Sequence, residues 1–212
     1  PKSLNLSMAT EEPTAKKQRV DETKEKEKSS KQDASNLIWV DCEMTGLDTK
    51  IHDICEIAVL VTDKDLNVIA EGPDIVIHLD ENQMSSMSEW CVEHHGNSGL
   101  TKQIKDSKID METAEKQVLE FVKQYVPDNT APLCGNSIHA DKKFICKNMP
   151  KFAKYLHYRI IDVSTIKELC RRWYPKILEN APKKQMSHRA LDDIKESLEE
   201  LKYYKSKIFI QT

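Results

Sequence analysis

The chain has 212 residues, 39% hydrophobic and 32% charged, with 32 Lys/Arg against 35 Asp/Glu and a formal net charge of −3, the balance of a globular protein with room for one sizeable domain or two small ones. No run approaches the ~18 apolar residues of a membrane-spanning helix, so no membrane partner is expected. Five glycines exclude a fibrous protein, and six cysteines without a Cys-x-x-Cys pair argue against a zinc ribbon or disulfide scaffold and suit reduced thiols inside a cell.

Residues 1–36 hold eight Lys/Arg, seven Asp/Glu, no aromatic residue and, as strong apolar residues, two leucines and one valine. That is too little apolar surface to offset chain entropy, and a disordered charged tail is expected. Within it, Lys16-Lys17-Gln18-Arg19 reads as a solvated linker before a nuclear signal, and one arginine beside seven carboxylates is a poor mitochondrial transit peptide. Residues 37–212 form a single domain with 24 Lys/Arg against 28 Asp/Glu. This mildly acidic part shows no basic stripe of the kind that grips long nucleic acid.

Along that domain, Leu37–Glu43, Ile54–Thr62, Asn67–Glu71 and Ile75–Leu79 read as strands, with Asp63-Lys64-Asp65 as hairpin turn chemistry. Met111–Val126 reads as a helix behind an Asp110 cap, ended by Pro127, and Pro132–Gly135 as a strand. Asp141–Met149 follows as a helix stopped near Pro150, Arg159–Val163 as a strand, Ser164–Trp173 as a helix stopped by Pro175, and Leu191–Lys205 as a long amphipathic helix. Strands first, then alternating strands and helices, predicts an α/β domain with a mixed sheet flanked by helices.

In Leu37-Ile38-Trp39-Val40-Asp41-Cys42-Glu43, two-residue alternation puts Asp41 and Glu43 on one face of a strand and turns Cys42 away, as packing and not as a nucleophile. Trp39 shares the acids' face and is expected to pack beneath them. Two like charges side by side call for a hard cation with oxygen ligands, or else for solvent at a polar strand end. Spacing alone leaves both readings open. Asp141, Asp192, Asp193 and His188 lie in comparable contexts downstream. Four acids and a histidine are the parts required for hydrolysis with two metal ions.

The segments Trp39–Leu47, Gly135–Asp141, Tyr158–Ser164 and Ser187–Asp193 together resemble the oligoribonuclease family of 3′-to-5′ exoribonucleases, over about Asn36 to Phe209. The resemblance implies a ribonuclease H-like fold, with Asp41, Glu43, Asp141 and Asp193 holding two Mg²⁺ or Mn²⁺ ions and His188 as general base. On an ideal helix Asp192 would lie about 40° from His188 and Asp193 about 140° away, so the assignment of Asp193 requires His188 to precede the helix.

The resemblance further implies Leu47 as a wedge between two bases, Trp90 as a stacking surface, and His95, Ser137 and Arg159 as a clasp on the 5′ phosphate of a very short RNA, with Tyr158 supplied by a second subunit of a homodimer. Taken singly, Leu47 and Trp90 read more simply as core residues and Arg159 as a surface ion-pair partner. The function expected is removal of 5′-mononucleotides from very short RNA, dinucleotides above all. The rival readings are a general DNA/RNA exonuclease and a catalytically silent binding module of the same fold. The expected compartment is intracellular, the cytoplasm first, with mitochondrion and nucleus as the alternatives.

Overall fold

A computed structural model of the chain describes residues 32–183 and 189–210. The tail expected over residues 1–36 lies outside the described residues up to Lys31. Residues 32–36 belong to the folded unit, because the side chains of Gln32 and Asn36 donate to Lys123 O (2.6 Å) and Tyr125 O (2.9 Å). They thereby satisfy carbonyls that a helix C-terminus leaves open.

Three strands open the sheet: β1 (Leu37–Met44), β2 (Ile54–Thr62) and β3 (Val68–Val76), paired antiparallel. After a helical stretch come β4 (Leu133–Gly135) and β5 (Ile160–Asp162), which run parallel to β1. The order β3-β2-β1-β4-β5 is the mixed sheet expected. β2 is buried at every position, since it is covered on both faces, and its run Ile57–Val61 accordingly lacks a polar face. The Asp63 carboxylate accepts from the N–H groups of Asp65 and Asn67 (2.8 and 2.9 Å) and makes the hairpin turn.

The two strands expected at Asn67–Glu71 and Ile75–Leu79 are one strand. Gly72 and Pro73 sit at a register shift, where Leu60 pairs Glu71 and Ala58 pairs Asp74. β3 is an edge strand, so Pro73 removes no ladder bond that an inner strand would need. A side chain at Gly72 would collide with the Phe121 ring at 2.4 Å.

Nine helices are found among the described residues. The first three, α1 (Glu81–Ser85), α2 (Glu89–Asn97) and α3 (Leu100–Asp106), fill a stretch in which hydrophobic periodicity predicts no element. Their signals are local: Asp80 and Gln83 form a reciprocal capping box and Ser88 caps α2. α4 (Met111–Val122) starts at Asp110 as expected and ends one turn early; α5 (His139–Asn148) starts two residues before Asp141. Pro150 and Pro175 do not merely stop helices. Each stands at the first position of a short one, α6 (Pro150–Tyr155) and α8 (Pro175–Glu179), where its missing N–H is harmless. α7 (Val163–Trp173) and α9 (Ala190–Ile208) complete the chain.

The sheet divides two cores. Ile38, Val40, Ile57, Val59, Val118, Phe144 and Phe152 pack on the α4–α6 side, and Trp39, Leu60, Ile194, Leu198 and Tyr204 on the α9 side. Each large apolar side chain so buried contributes roughly 1.5–3 kcal/mol. Trp39 is fully buried and its indole N–H donates to Thr62 Oγ1 at 3.0 Å. No described helix is long and apolar enough to cross a membrane.

Candidate active site

Asp41 and Glu43 leave β1 on the α9 face, as alternation requires, and Asp193 reaches them from the first turn of α9. Ligand oxygens of these three carboxylates all lie within 4.8 Å of one another. Asp192, the neighbouring acid, is exposed in that first turn, where the positive end of the helix dipole favours it. Arg189 is extended and α9 begins at Ala190, so helix geometry imposes no angle between His188 and either acid. His188 itself lies outside the described residues.

Asp141 arrives from the opposite side, in the first turn of α5. β1 is eight residues long and β4 only three, paired through Ile38↔Leu133 and Trp39↔Cys134. Beyond that pairing the edge of β1 has no strand beside it, and Asp141 Oδ1 takes the Cys42 N–H at 3.0 Å, between the two acids of β1. Gly135 makes the approach feasible: a Cβ there would stand 2.9 Å from Val40 O and 3.0 Å from Ile138 Cδ1. Cys42 points into the opposite core, and burial first, then Asp141, Asp41 and Glu43, pushes its thiol well above 9.0. It is no nucleophile at neutral pH.

Charge is concentrated here. Burial, then Asp193, Glu56 and Asp141, raise the Glu43 carboxyl from 4.5 to about 8. Burial raises Asp141 from 3.8 to about 7, although its own N–H and that of Cys42 pull the other way. Crowded carboxylates that cannot all ionise unaided, three of which, Asp41, Glu43 and Asp193, bring oxygens within 4.8 Å of one another, fit a hard divalent cation.

On the open side, Cys42, Glu43, Met44, Gly46, Leu47, Ser88, Trp90 and Cys91 line a cavity of about 480 Å³. Leu47 is 82% and Trp90 53% exposed, so neither is a core residue; both present apolar surface to water beside Glu43. Trp90 stacks on His94 at 3.8 Å and 16°. Gly46 is required because a Cβ would fall 2.5 Å from the His52 ring. His95 is fully buried, donating Nε2–H to Met44 O at 2.9 Å, with Nδ1 3.9 Å from Glu43 Oε2. A phosphate would reach it only after neighbouring side chains move.

Ser137 and Arg159 do not line that cavity; they lie in the β4–α5 loop and just before β5. Ser137 has φ 51° and is exposed, and its N–H donates to Asp162 Oδ1 (2.9 Å) and Ser164 Oγ (3.0 Å). The Arg159 guanidinium lies 5.2 Å from the centre of the Tyr158 ring, which is 71% exposed.

Two supporting groups are not singled out by the sequence, although Asn136, Ser164 and Arg189 fall inside the recognisable segments. Asn136 donates to Ser197 Oγ (2.8 Å) and Glu200 Oε2 (3.1 Å) and accepts from Ser164 Oγ (3.0 Å), while Ser197 donates to Asp193 O (2.8 Å). The loop bearing Ser137 is thus tied to the helix bearing Asp193. The second group is the pair Glu56–Arg189, whose signals are an acid inside the apolar run of β2 and an arginine inside the segment Ser187–Asp193.

Residues 38–201 match the model of the exonuclease family. The chain is 58% identical over 176 residues to the mitochondrial oligoribonuclease of Mus musculus, covering 83% of this chain and 74% of that one. It is 53% identical to the oligoribonuclease of Photobacterium profundum, covering 82% of this chain and 96% of that one. Among solved structures, an exonuclease I superposes with a TM-score of 0.66 at 13% identity, covering 82% of this chain and 41% of that chain. E. coli exonuclease I in complex with a dT13 oligonucleotide superposes with a TM-score of 0.61 at 14% identity, with the same coverage. The chain spans about two fifths of those solved chains, and the likeness shows the fold.

Fold and acid cluster together define an exonuclease domain of the ribonuclease H-like class, a metal-dependent nuclease. Within that class the chain belongs to the oligoribonuclease family, the 3′-to-5′ exoribonucleases.

Proposed function

We propose that the chain hydrolyses very short oligoribonucleotides, dinucleotides above all, to 5′-mononucleotides, with Asp41, Glu43, Asp141 and Asp193 holding two divalent cations, Mg²⁺ or Mn²⁺, and His188 as general base. The observation that carries the reading is the convergence of Asp41, Glu43 and Asp193 beside a cavity edged by exposed Leu47 and Trp90. When bound, the cations stabilise the attacking and leaving oxygens. His188 takes the proton of the attacking water. Leu47 enters between two bases and Trp90 offers its face to one of them. Ser137 and Arg159 hold the 5′ phosphate, joined by His95 once the side chains that bury it move aside, together with Tyr158 supplied by a second subunit of a homodimer; the 71% exposure of Tyr158 supports a partner there. Six free thiols favour a reducing intracellular compartment. The mitochondrial relatives make that organelle the alternative to the cytoplasm.

The test is a gel with 5′-labelled RNAs of two to ten residues, with Mg²⁺, Mn²⁺ or chelator. Charge-assisted hydrogen bonds to a phosphate are worth roughly 1.5–3 kcal/mol each, so forgoing two of them slows longer RNAs by more than about tenfold. Arg159→Ala should flatten that length dependence. Equal initial rates on two-mers and ten-mers would leave a general exonuclease, and no hydrolysis with any metal would leave a binding module.

A further inference from the structure

Glu56 and Glu43 are direct cross-strand partners in the antiparallel pair β1–β2, on the same face, where side chains of opposed residues stand about 4.5–5.5 Å apart at Cβ. Glu56 is completely buried. It is a fifth carboxylate at the edge of the acid cluster, and like charges so opposed repel. Arg189 answers it: its Nε and a terminal nitrogen donate to Glu56 Oε1 at 3.0 and 2.8 Å. Arg189 also faces Asp74 and Asp192, and its charge acts on Glu43 against the surrounding acids. The same residue begins α9, where its carbonyl accepts the Asp193 N–H at 3.0 Å.

We propose that Arg189 and Glu56 are positioning residues forming a charge-neutral pair that sets the net charge felt by cations at Asp41, Glu43 and Asp193, with Arg189 keeping Glu56 from acting as an additional metal-attracting carboxylate. The inference rests on the reading of those acids as the metal site. If it holds, the two partners have opposite effects on metal binding. Removing the Glu56 charge leaves an unanswered cation beside the site and weakens binding. Removing the Arg189 charge leaves the buried Glu56 carboxyl without its counterion, and an incoming divalent cation then takes the place of the proton that burial would otherwise hold there, which strengthens binding while misplacing the ion for hydrolysis. Removing both restores the balance. A merely structural pair behaves otherwise, since loss of either partner loosens the same contact.

The experiment measures Mn²⁺ binding to the full chain by titration calorimetry at pH 8.5, with folding checked by circular dichroism. A unit charge close to a divalent ion in a partly buried site changes affinity by about tenfold or more. Glu56→Gln should weaken Mn²⁺ binding by about that factor and Arg189→Met should tighten it, with hydrolysis reduced in both. The double variant Glu56→Gln/Arg189→Met should return to within about threefold of the unmutated affinity. Arg189→Lys, which keeps the charge and loses the fork of donors, should bind Mn²⁺ as the unmutated chain does. Shifts of the same sign in both single variants, or a double variant no better than Glu56→Gln, would overturn the proposal. Should Arg189→Met not fold, Glu56→Gln, Arg189→Lys and the double variant decide by the same criteria. Asp41→Asn is the control: if it leaves Mn²⁺ binding unchanged, the metal reading itself is what fails.

Discussion

The two faces of β1 carry the same alternation to different ends. On one, Ile38, Val40 and Cys42 are 0, 1 and 7% exposed and run without a break into the core under α4–α6. On the other, Trp39 is just as buried, but Asp41 and Glu43 emerge further along into a cluster of acids. The difference comes from what covers each face. α9 lies along the second face in the opposite direction to β1, so Leu198 and Tyr204 cover Trp39 while the first turn of α9 meets Asp41 and Glu43. The first turn of α5 meets them too, through Asp141 and Cys42 N–H. Acids at the end of a sheet, facing two helix N-termini, are favoured by the helix dipoles and still too many to ionise together without a cation.

Mutations can break either face separately. The largest effect belongs to Asp41→Ala, which should bring hydrolysis to the detection limit with the fold intact by circular dichroism, because the remaining acids cannot hold both ions in register. Asp193→Asn should match it and Asp192→Asn should not, since only Asp193 joins the cluster; equal loss in both would sink the placement of α9. His188→Ala should retain metal and slow turnover by about 10²–10⁴ if proton transfer limits. Single-turnover rates beside Mn²⁺ titrations would reveal whether it does.

On the apolar face the expectation reverses. Ile38→Ala should cost about 2–5 kcal/mol of stability, read by urea unfolding, with near-normal kcat for the molecules that remain folded. A large fall in kcat at unchanged stability would show that the two faces are not separable.

The smallest effect is one of pH. Without metal, folded Glu43 and Asp141 keep their protons up to about 8 and about 7, against ordinary values of 4.5 and 3.8. Between the ordinary and the raised values each of these groups binds more proton in the folded chain than in the unfolded one, so their contribution to metal-free stability is fully present below about pH 4 and is lost as pH rises toward about 8. Saturating Mg²⁺ replaces the protons and should flatten that fall, raising the thermal midpoint more at pH 8 than at pH 5. Calorimetric scans with chelator and with Mg²⁺ test this, and a midpoint indifferent to Mg²⁺ at pH 8 would count against the metal site.

Much is legible in the chain because it is local. Alternation in Leu37–Glu43 places Asp41 and Glu43 together and turns Cys42 away, the Asp110 cap and Pro127 mark α4, amphipathic spacing marks α9, and the acids and histidine stand in recognisable motifs. The helices at 81–106 are not predicted although the Asp80–Gln83 box is readable, since their apolar residues serve a small separate core around Cys55, Leu79 and Ile104 and show no long period.

What no local pattern could decide is which distant groups meet. The motif points to Asp193 while ideal helix angles favour Asp192, and only the start of α9 at Ala190, with the rotation of that helix over the sheet, puts Asp193 beside Asp41 and Glu43. Asp141 gains its place because β4 is too short to cover the edge of β1, and Glu56 meets Arg189 across 133 residues of chain. These are consequences of strand length, register and helix packing, set by the whole core at once. Residue type and spacing specified the chemistry available to this protein; the close-packed tertiary structure decided which charges share a site and which are held apart.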